Sequence, residues 1–392
     1  MDVLKLATEM EDTVIEYRRW LHQHAELPWK EKETTEFIEE KIKEIGLQPI
    51  RFEEGRYGLY TMIHGGAGKK PCKTIMLRAD IDALPIQEKT GLEYSSIHDG
   101  VMHACGHDCH AAMLLGAAKL LYEHRDELEG NVKLLFQSAE ETGNGAEYYV
   151  NQGILDDVDA VYASHVFTFV DAPKISVDAG PRCASNDEFE IIIKGSSAHG
   201  AQPHMGKDAI VAAAAVVSNL QTIVSRETDP LEPLVISIGT IQGGTTYNVI
   251  ADRVEMKGTV RTYSLEIRDA MSKLLQKVVE NTAEAFGCTG EVKYIPKTGP
   301  VINDTEMSAL AEKAVKKLFG EEGICKVEKN MGSEDFGHYA VKRPGVFAMI
   351  GAYNPEKGCT YPQHHECYQI DESILKCGVA MYVQMAVDFL KQ

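Results

Sequence analysis

Apolar side chains at Leu4, Met10, Val14, Tyr17 and Leu21 give the start of the chain the spacing of a helix with one buried face. A second helical stretch carries Phe37, Ile38, Ile42 and Ile45 on one side, and Gly46 follows it where a helix ends in the left-handed conformation. Four apolar runs, at residues 59–63, 74–77, 132–136 and 161–163, read as buried strands, with an Ala- and Leu-rich helix from about 111 to 121 between the second and third. This alternation predicts an α/β fold with helices on both faces of a largely parallel sheet.

The rhythm changes between residues 184 and 296. There the pattern predicts a strand at 189–194, a helix at 208–225, strands at 234–240 and 253–262, a helix at 265–286 and a strand at 291–295. The order βαββαβ is that of the ferredoxin-like unit. A helix at 306–318, a strand at 346–350 and a closing helix at 374–390 resume the first pattern. The prediction is one α/β domain built from residues 1–183 and 297–392, interrupted by an inserted domain at 184–296.

Composition sharpens this picture. A chain of 392 residues exceeds the size at which one core keeps growing, and 44% apolar with 25% charged residues is the balance of a globular enzyme. Apolar stretches such as 210–217 are too short to cross a bilayer, and the opening Met-Asp-Val-Leu-Lys lacks a signal pattern. A soluble, cytoplasmic protein with no membrane partner is expected. Nine cysteines without regular spacing read as reduced thiols. A net charge of −19, from 40 basic against 59 acidic residues, argues against nucleic acid as a partner and means that an anionic substrate needs a local cationic pocket.

Residues 103–110, His-Ala-Cys-Gly-His-Asp-Cys-His, hold a thiol and several imidazoles between a strand and a helix, and Gly106 lets Cys105 and His107 converge. The plain alternative is a polar loop. Glu140 and Glu141 leave the carboxyl end of a strand, where α/β sheets place their active sites. Adjacent side chains take unlike roles, so one can ligate a metal while the other acts as general base; a solvated helix start is the competing reading. His165 ends another strand and His364 lies late in the chain. With Cys105, His107 and Glu141 they make five donors, more than one tetrahedral ion uses and suited to two.

The strings RADIDALP (78–85), MHACGHDCHAA (102–112), FQSAEETGNGA (136–146), GSSAHGAQPHMGKDAI (195–210), GGTTYNVIAD (243–252), GTVRTY (258–263) and MGSEDF (331–336) resemble, in order, those of the aminoacylase and amidohydrolase family of two-metal peptidases. The similar branch holds hippurate hydrolase, the indole-acetyl-amino-acid hydrolases and N-acetyldiaminopimelate deacetylase. The resemblance runs from His22 to His364. It implies Cys105, His107, Glu141, His165 and His364 as metal ligands, Glu140 as general base, His199 as the group that polarises the scissile carbonyl, and Asn248 and Arg261 as holders of the substrate carboxylate. It also implies that the inserted domain serves as lid and homodimer interface.

The implied activity is hydrolysis of a small-molecule N-acyl amino acid with two divalent ions, Zn2+ or Mn2+. A dipeptidase or aminopeptidase, and a metal-binding protein without catalysis, are the rival readings. The residues outside the metal cluster keep structural readings of their own: Arg261 as partner of a surface acid, Asn248 as a turn residue, His199 as a structural histidine, and Asp80 and Asp82 as helix caps or as orienters of metal-bound imidazoles. Ser138, where proline is common, and Val166-Phe167-Thr168, in place of the usual turn, depart from the family's strings.

Overall fold

The amphipathic start of the chain folds as two helices, where the pattern predicts one. α1 (Val3–Glu9) and α2 (Glu11–Gln23) meet at Met10, whose φ of −88° and ψ of −6° leave the regular helix. The bend lets α1 pack on the helix that closes the chain while α2 packs on the helix that follows residue 106. The computed structural model describes residues 1–53, 55–67 and 72–392, which form two compact units. One is Met1–Arg182 with Ile302–Lys329 and Asp335–Gln392; the other is Cys183–Val301 with Asn330–Glu334.

After α3 (Lys32–Ile45), capped by Gly46 at φ 100°, the first unit lays down β1 (Ile50–Arg51), β2 (Leu59–His64) and β3 (Thr74–Asp80). α4 (His107–Glu123), β4 (Asn131–Gln137), β5 (Ala160–Asp171) and β6 (Ile175–Ser176) follow. α4 begins four residues before the predicted start. His107, Asp108 and His110 fill its first turn, and these polar side chains hide it from a count of apolar positions although all three are buried.

The second unit comprises β7 (Asn186–Lys194), α5 (Ala209–Thr222), β8 (Leu234–Gly243), β9 (Arg253–Thr262), α6 (Leu265–Ala285) and β10 (Thr289–Thr298). Its four strands form an antiparallel sheet in the order β8-β9-β7-β10, and the two helices share a core with it around Phe189, Ile191, Val216 and Leu275. Asp208 and Ser264 cap the helices by accepting from backbone N–H groups one turn in.

The first unit is completed by α7 (Thr305–Phe319), β11 (Gly345–Tyr353) and α8 (Leu375–Leu390). Its seven-stranded sheet runs β1-β2-β4-β3-β5-β11-β6. β4, β3, β5 and β11 are parallel neighbours, while β1, β2 and β6 pair antiparallel at the edges. Every residue of β3 is buried, as expected for a parallel strand covered on both faces. α2, α4 and α8 meet at Gly116, where an added Cβ would stand 2.7 Å from Val14 and 2.9 Å from Val379.

Two helical stretches of 19 residues, Ala209–Glu227 and Glu372–Leu390, are long and apolar enough to span a bilayer, which corrects the expectation that no such stretch exists. The second is 78% buried as a central helix of its unit, and α5 in the first packs on its own sheet. All nine cysteines are free thiols.

Candidate metal centre

The carboxyl ends of β4, β3 and β5 lie side by side, the place where parallel sheets present functional groups. β4 leads through Ala139, left-handed at φ 62°, into the turn Glu140–Thr142, and β5 carries His165 in its middle. Gly106, at φ 95°, turns the chain into α4 so that Cys105 and His107 flank one point. An added Cβ there would lie 2.5 Å from Val166 and 2.9 Å from the Tyr368 hydroxyl. His364 comes from the loop between β11 and α8, is left-handed at φ 65°, and donates its backbone N–H to the Ala104 carbonyl at 2.7 Å. Two non-glycine residues held in this conformation mark backbone strain at one site.

These segments bring six of the sequence candidates together. Donor atoms of Cys105, His107 and His165 lie within 4.8 Å of one another, as do those of Cys105, Glu141 and His364, and those of His107, Glu140 and Glu141. Cys105 Sγ is 3.4 Å from His165 Nε2, and His364 Nε2 is 3.5 Å from Glu141 Oε1. His107 Nδ1 donates to Asp82, 2.9 Å from its carbonyl and 3.2 Å from Oδ1, and His165 Nδ1 donates to the Val166 carbonyl at 2.8 Å. Both rings are thereby held with Nε2 turned to the cluster, the arrangement that second partners give to metal-binding histidines. His107 Nε2 and Glu141 Oε1 are buried with no hydrogen-bond partner among the described residues. A thiol, three imidazoles and a carboxylate, with buried donor atoms left over, fit divalent ions.

The charges of the site are mutually dependent. Burial and the Glu141 charge push the Cys105 thiol well up. Burial opposes a charge on His107, yet Asp80 and Cys105 hold it well above the usual range. Burial also acts against the Glu141 carboxylate, but the His364 and His107 imidazoles keep it low. The thiol, the carboxylate and the imidazoles thus set one another's charge.

A buried polar framework surrounds the cluster. Asp82 Oδ1 accepts from the Glu140 N–H at 3.1 Å and Oδ2 from the Glu141 N–H at 3.0 Å, so one carboxylate sets both glutamates and His107. Asp80 binds His110 Nδ1 at 2.5 Å, and His110 Nε2 accepts from the Val166 N–H at 3.0 Å. Asp80 and Asp82 therefore orient imidazoles, and Asp82 also caps the first two N–H groups of the turn Glu140–Thr142. Arg78 donates to Gln137, Asp80 and Asp335 at 2.8, 2.6 and 2.7 Å. Glu31 accepts from the Ala139 N–H at 3.0 Å; burial and the Asp82 charge raise its carboxyl to about 8. Ser138 donates its N–H to the Tyr149 hydroxyl at 3.0 Å, a bond that proline at this position cannot make.

The sequence patterns alone give no role to Arg78, Gln137, Asp335, Glu31 or His110. The signal for the first two was present, because a charged or amide side chain inside an apolar strand needs buried partners. Glu31 gave none.

His199, Asn248 and Arg261 belong to the second unit. Ala198–His199 pairs antiparallel with Val249–Ile250, and the Gly200 N–H donates to the Asn248 carbonyl at 2.7 Å, so His199 and Asn248 are neighbours. His199 is exposed and its Nδ1 accepts from the Ala201 N–H at 3.1 Å, which leaves the ring proton of the neutral form on Nε2. Arg261 is half-buried in β9 and forms no ion pair among the described residues, since nearby Asp187 is taken by Arg268, Tyr294 and the Lys297 N–H.

Residues 76–388 match the model of peptidase family M20/M25/M40. The chain is 41% identical to the N-acetyl-L-cysteine deacetylase of Bacillus subtilis over 95% of its length and 87% of that protein's, and 37% identical to thermostable carboxypeptidase 1 of Saccharolobus solfataricus over 97% and 96%. The crystal structure of the Bacillus subtilis YXEP protein, a dinuclear metal binding peptidase, superposes with a TM-score of 0.86 at 36% identity, covering 98% of this chain and 99% of that one. The clustered donors on this α/β scaffold and the match along nearly the whole chain agree: the protein is a hydrolase of amide bonds and belongs to peptidase family M20/M25/M40.

Proposed function

We propose that the protein hydrolyses N-acyl amino acids to a carboxylic acid and an amino acid. The observation that carries this reading is the convergence of Cys105, His107, Glu141, His165 and His364 around shared points beside Glu140. Two divalent ions, Zn2+ or Mn2+, would be held by those five side chains and would supply the Lewis acidity that lowers the pKa of a water and polarises the amide carbonyl.

The remaining steps belong to the chain. Glu140 takes the proton of the attacking water on its carboxylate and returns it to the nitrogen as the C–N bond breaks, so one group serves as base and then acid. His199, with its proton on Nε2, donates a hydrogen bond to the oxygen that gains charge. Arg261 and Asn248 hold the carboxylate of the amino-acid part, the guanidinium by its two-pronged fork. The names of both curated relatives describe substrates whose amine side is an amino acid, which supports this assignment. The protein acts in the cytoplasm as a homodimer joined through the second unit, on small molecules, with neither nucleic acid nor membrane as partner.

A panel of N-acyl amino acids, dipeptides and carboxylate-masked amides, assayed for released amine, tests the reading. Hydrolysis of N-acyl amino acids is expected, lost on chelation and restored by metal. Masking the carboxylate should cost about 2–3 kcal/mol in kcat/KM for the wild type, as when a charged group loses its partner, and much less for Arg261→Ala. Cleavage confined to dipeptides with a free amino group would replace the reading by the dipeptidase one.

A further inference from the structure

Glu31 stands at the start of α3, where an acidic side chain ordinarily serves its own helix, yet it caps nothing there. Glu26 accepts the Thr34 N–H at 2.9 Å instead, and Glu31 is fully buried. Its Oε1 accepts from the Ala139 N–H at 3.0 Å. Four consecutive N–H groups just after β4 are thereby held by side chains. The Tyr149 hydroxyl takes that of Ser138, Glu31 that of Ala139, and the two oxygens of Asp82 those of Glu140 and Glu141. Ala139 is the strained member, left-handed at φ 62° although it carries a side chain. Glu31 Oε2 is buried without a hydrogen-bond partner among the described residues, as are Ser138 Oγ and Thr34 Oγ1.

A residue other than glycine stays left-handed only where its surroundings fix it from several sides. Thr142 Oγ1 donates to the Ala139 carbonyl at 2.9 Å, and Gly145 packs so close that an added Cβ would stand 2.7 Å from that oxygen. The amide side of the residue is held by Glu31. We infer that Glu31 is a positioning residue of the reaction: its carboxyl keeps the Ala139 peptide in the left-handed conformation and so sets the direction in which Glu140 leaves the turn. The inference rests on the reading of Glu140 as the base in the proposed amide hydrolysis. The position demands an acceptor rather than a charge, since burial and the nearby Asp82 charge lift the Glu31 carboxyl to about 8. An amide of the same length meets that demand. A shorter acid or an alkyl chain leaves the Ala139 N–H buried and unpaired, and the peptide then turns.

The test sets Glu31→Gln against Glu31→Leu and Glu31→Asp in the metal-loaded protein, on the N-acyl amino acid it cleaves best. Glu31→Leu and Glu31→Asp should each lose up to about 10²-fold in kcat, the effect of a small misplacement of a reacting group, with KM and bound metal as in wild type. Glu31→Gln should bring kcat back near the wild-type value. Ala139→Gly supplies a second measurement, because glycine takes the left-handed conformation without support. The kcat lost on changing Glu31 to Leu should be severalfold smaller in the Ala139→Gly background. Hydrogen exchange gives a readout without turnover: the Ala139 amide should exchange faster in Glu31→Leu and Glu31→Asp than in wild type and Glu31→Gln. Should Glu31→Leu not fold, Glu31→Asp and the exchange rates carry the comparison. Wild-type kcat in Glu31→Asp, equal losses in Glu31→Gln and Glu31→Leu, or a loss undiminished by Ala139→Gly overturns the inference. Loss of metal together with kcat would tie Glu31 to the ligand Glu141 and overturn it as well. Cleavage of dipeptides but of no N-acyl substrate overturns the N-acyl reading alone, and the same comparison is then run on a dipeptide.

Discussion

The backbone N–H of Asp335 donates to Glu140 Oε1 at 3.2 Å. The Asp335 side chain is itself locked, since its two oxygens accept from Arg78, from Gln137 and from the Ala146 N–H. The proposed base is thus aimed by a peptide group that cannot move without breaking buried charge-assisted bonds. Asp335→Ala should lower kcat by up to about 10²-fold, the cost of a small misplacement of a reacting group, and Asp335→Asn by less because its amide keeps part of the anchorage. Both variants should retain their metals. Steady-state kinetics beside metal analysis checks this, and wild-type kcat in Asp335→Ala would show that the contact does not aim Glu140.

The adjacent glutamates have unlike surroundings and should fail differently. Glu140→Gln is expected to keep fold and metals while losing about 10²–10⁴-fold in turnover, the contribution of a general acid–base group. Glu141→Gln, and likewise Cys105→Ala, should lower the metal content of freshly purified protein. Near-normal turnover in Glu140→Gln would remove it from the mechanism.

Gly106 combines a positive φ with the absence of room for a side chain. Gly106→Ala carries a backbone cost of roughly 1–2 kcal/mol and a clash with Val166 besides. Its melting temperature and its metal content should fall together, because the same turn positions Cys105 and His107. A fall in melting temperature with full metal occupancy would mean that the cluster forms without this turn.

Glu88 sits among His22, Thr90 and the Ser96 N–H. Burial works against its charge, but the His22 bond prevails and holds the carboxyl down to about 2. A depressed carboxyl stabilises the fold at pH values above its unfolded pKa of about 4.3, and that contribution is lost as pH falls towards 2. The melting temperature of the wild type should therefore drop more steeply between pH 4.5 and 3 than that of Glu88→Gln, each variable-pH series being run at one ionic strength. Coincident slopes would contradict the depression.

Much of this was legible in the chain because the relevant signals are local. Apolar runs separated by turns mark the strands, and the spacing of Cys105, His107 and the paired glutamates marks segments whose donor atoms the fold brings together. The bend at Met10 and the early start of α4 were not legible, since one depends on packing against a helix more than 350 residues later and the other on polar residues that become buried only in the site. The antiparallel edges of the sheet were hidden for a similar reason: a strand's direction is fixed by its neighbours. Glu31 looks in sequence like one more surface acid, and only its contact with Ala139 distinguishes it.

The sheet order has a consequence for how the protein is made. β11 pairs with β5 on the side away from β3, yet it is encoded after the whole second unit. A chain leaving the ribosome must therefore carry β5 with one bare edge until Gly345–Tyr353 emerges, roughly ten to forty seconds later at bacterial or eukaryotic rates of synthesis. During that interval the hydrogen-bonding groups around His165 are open to any other extended chain. The same delay keeps His364 from joining Cys105, so the candidate metal site cannot close before residue 364 has been made. The helpers a growing cell recruits to nascent chains thus have a defined strand to shield, and a product truncated after the second unit would be an aggregating one.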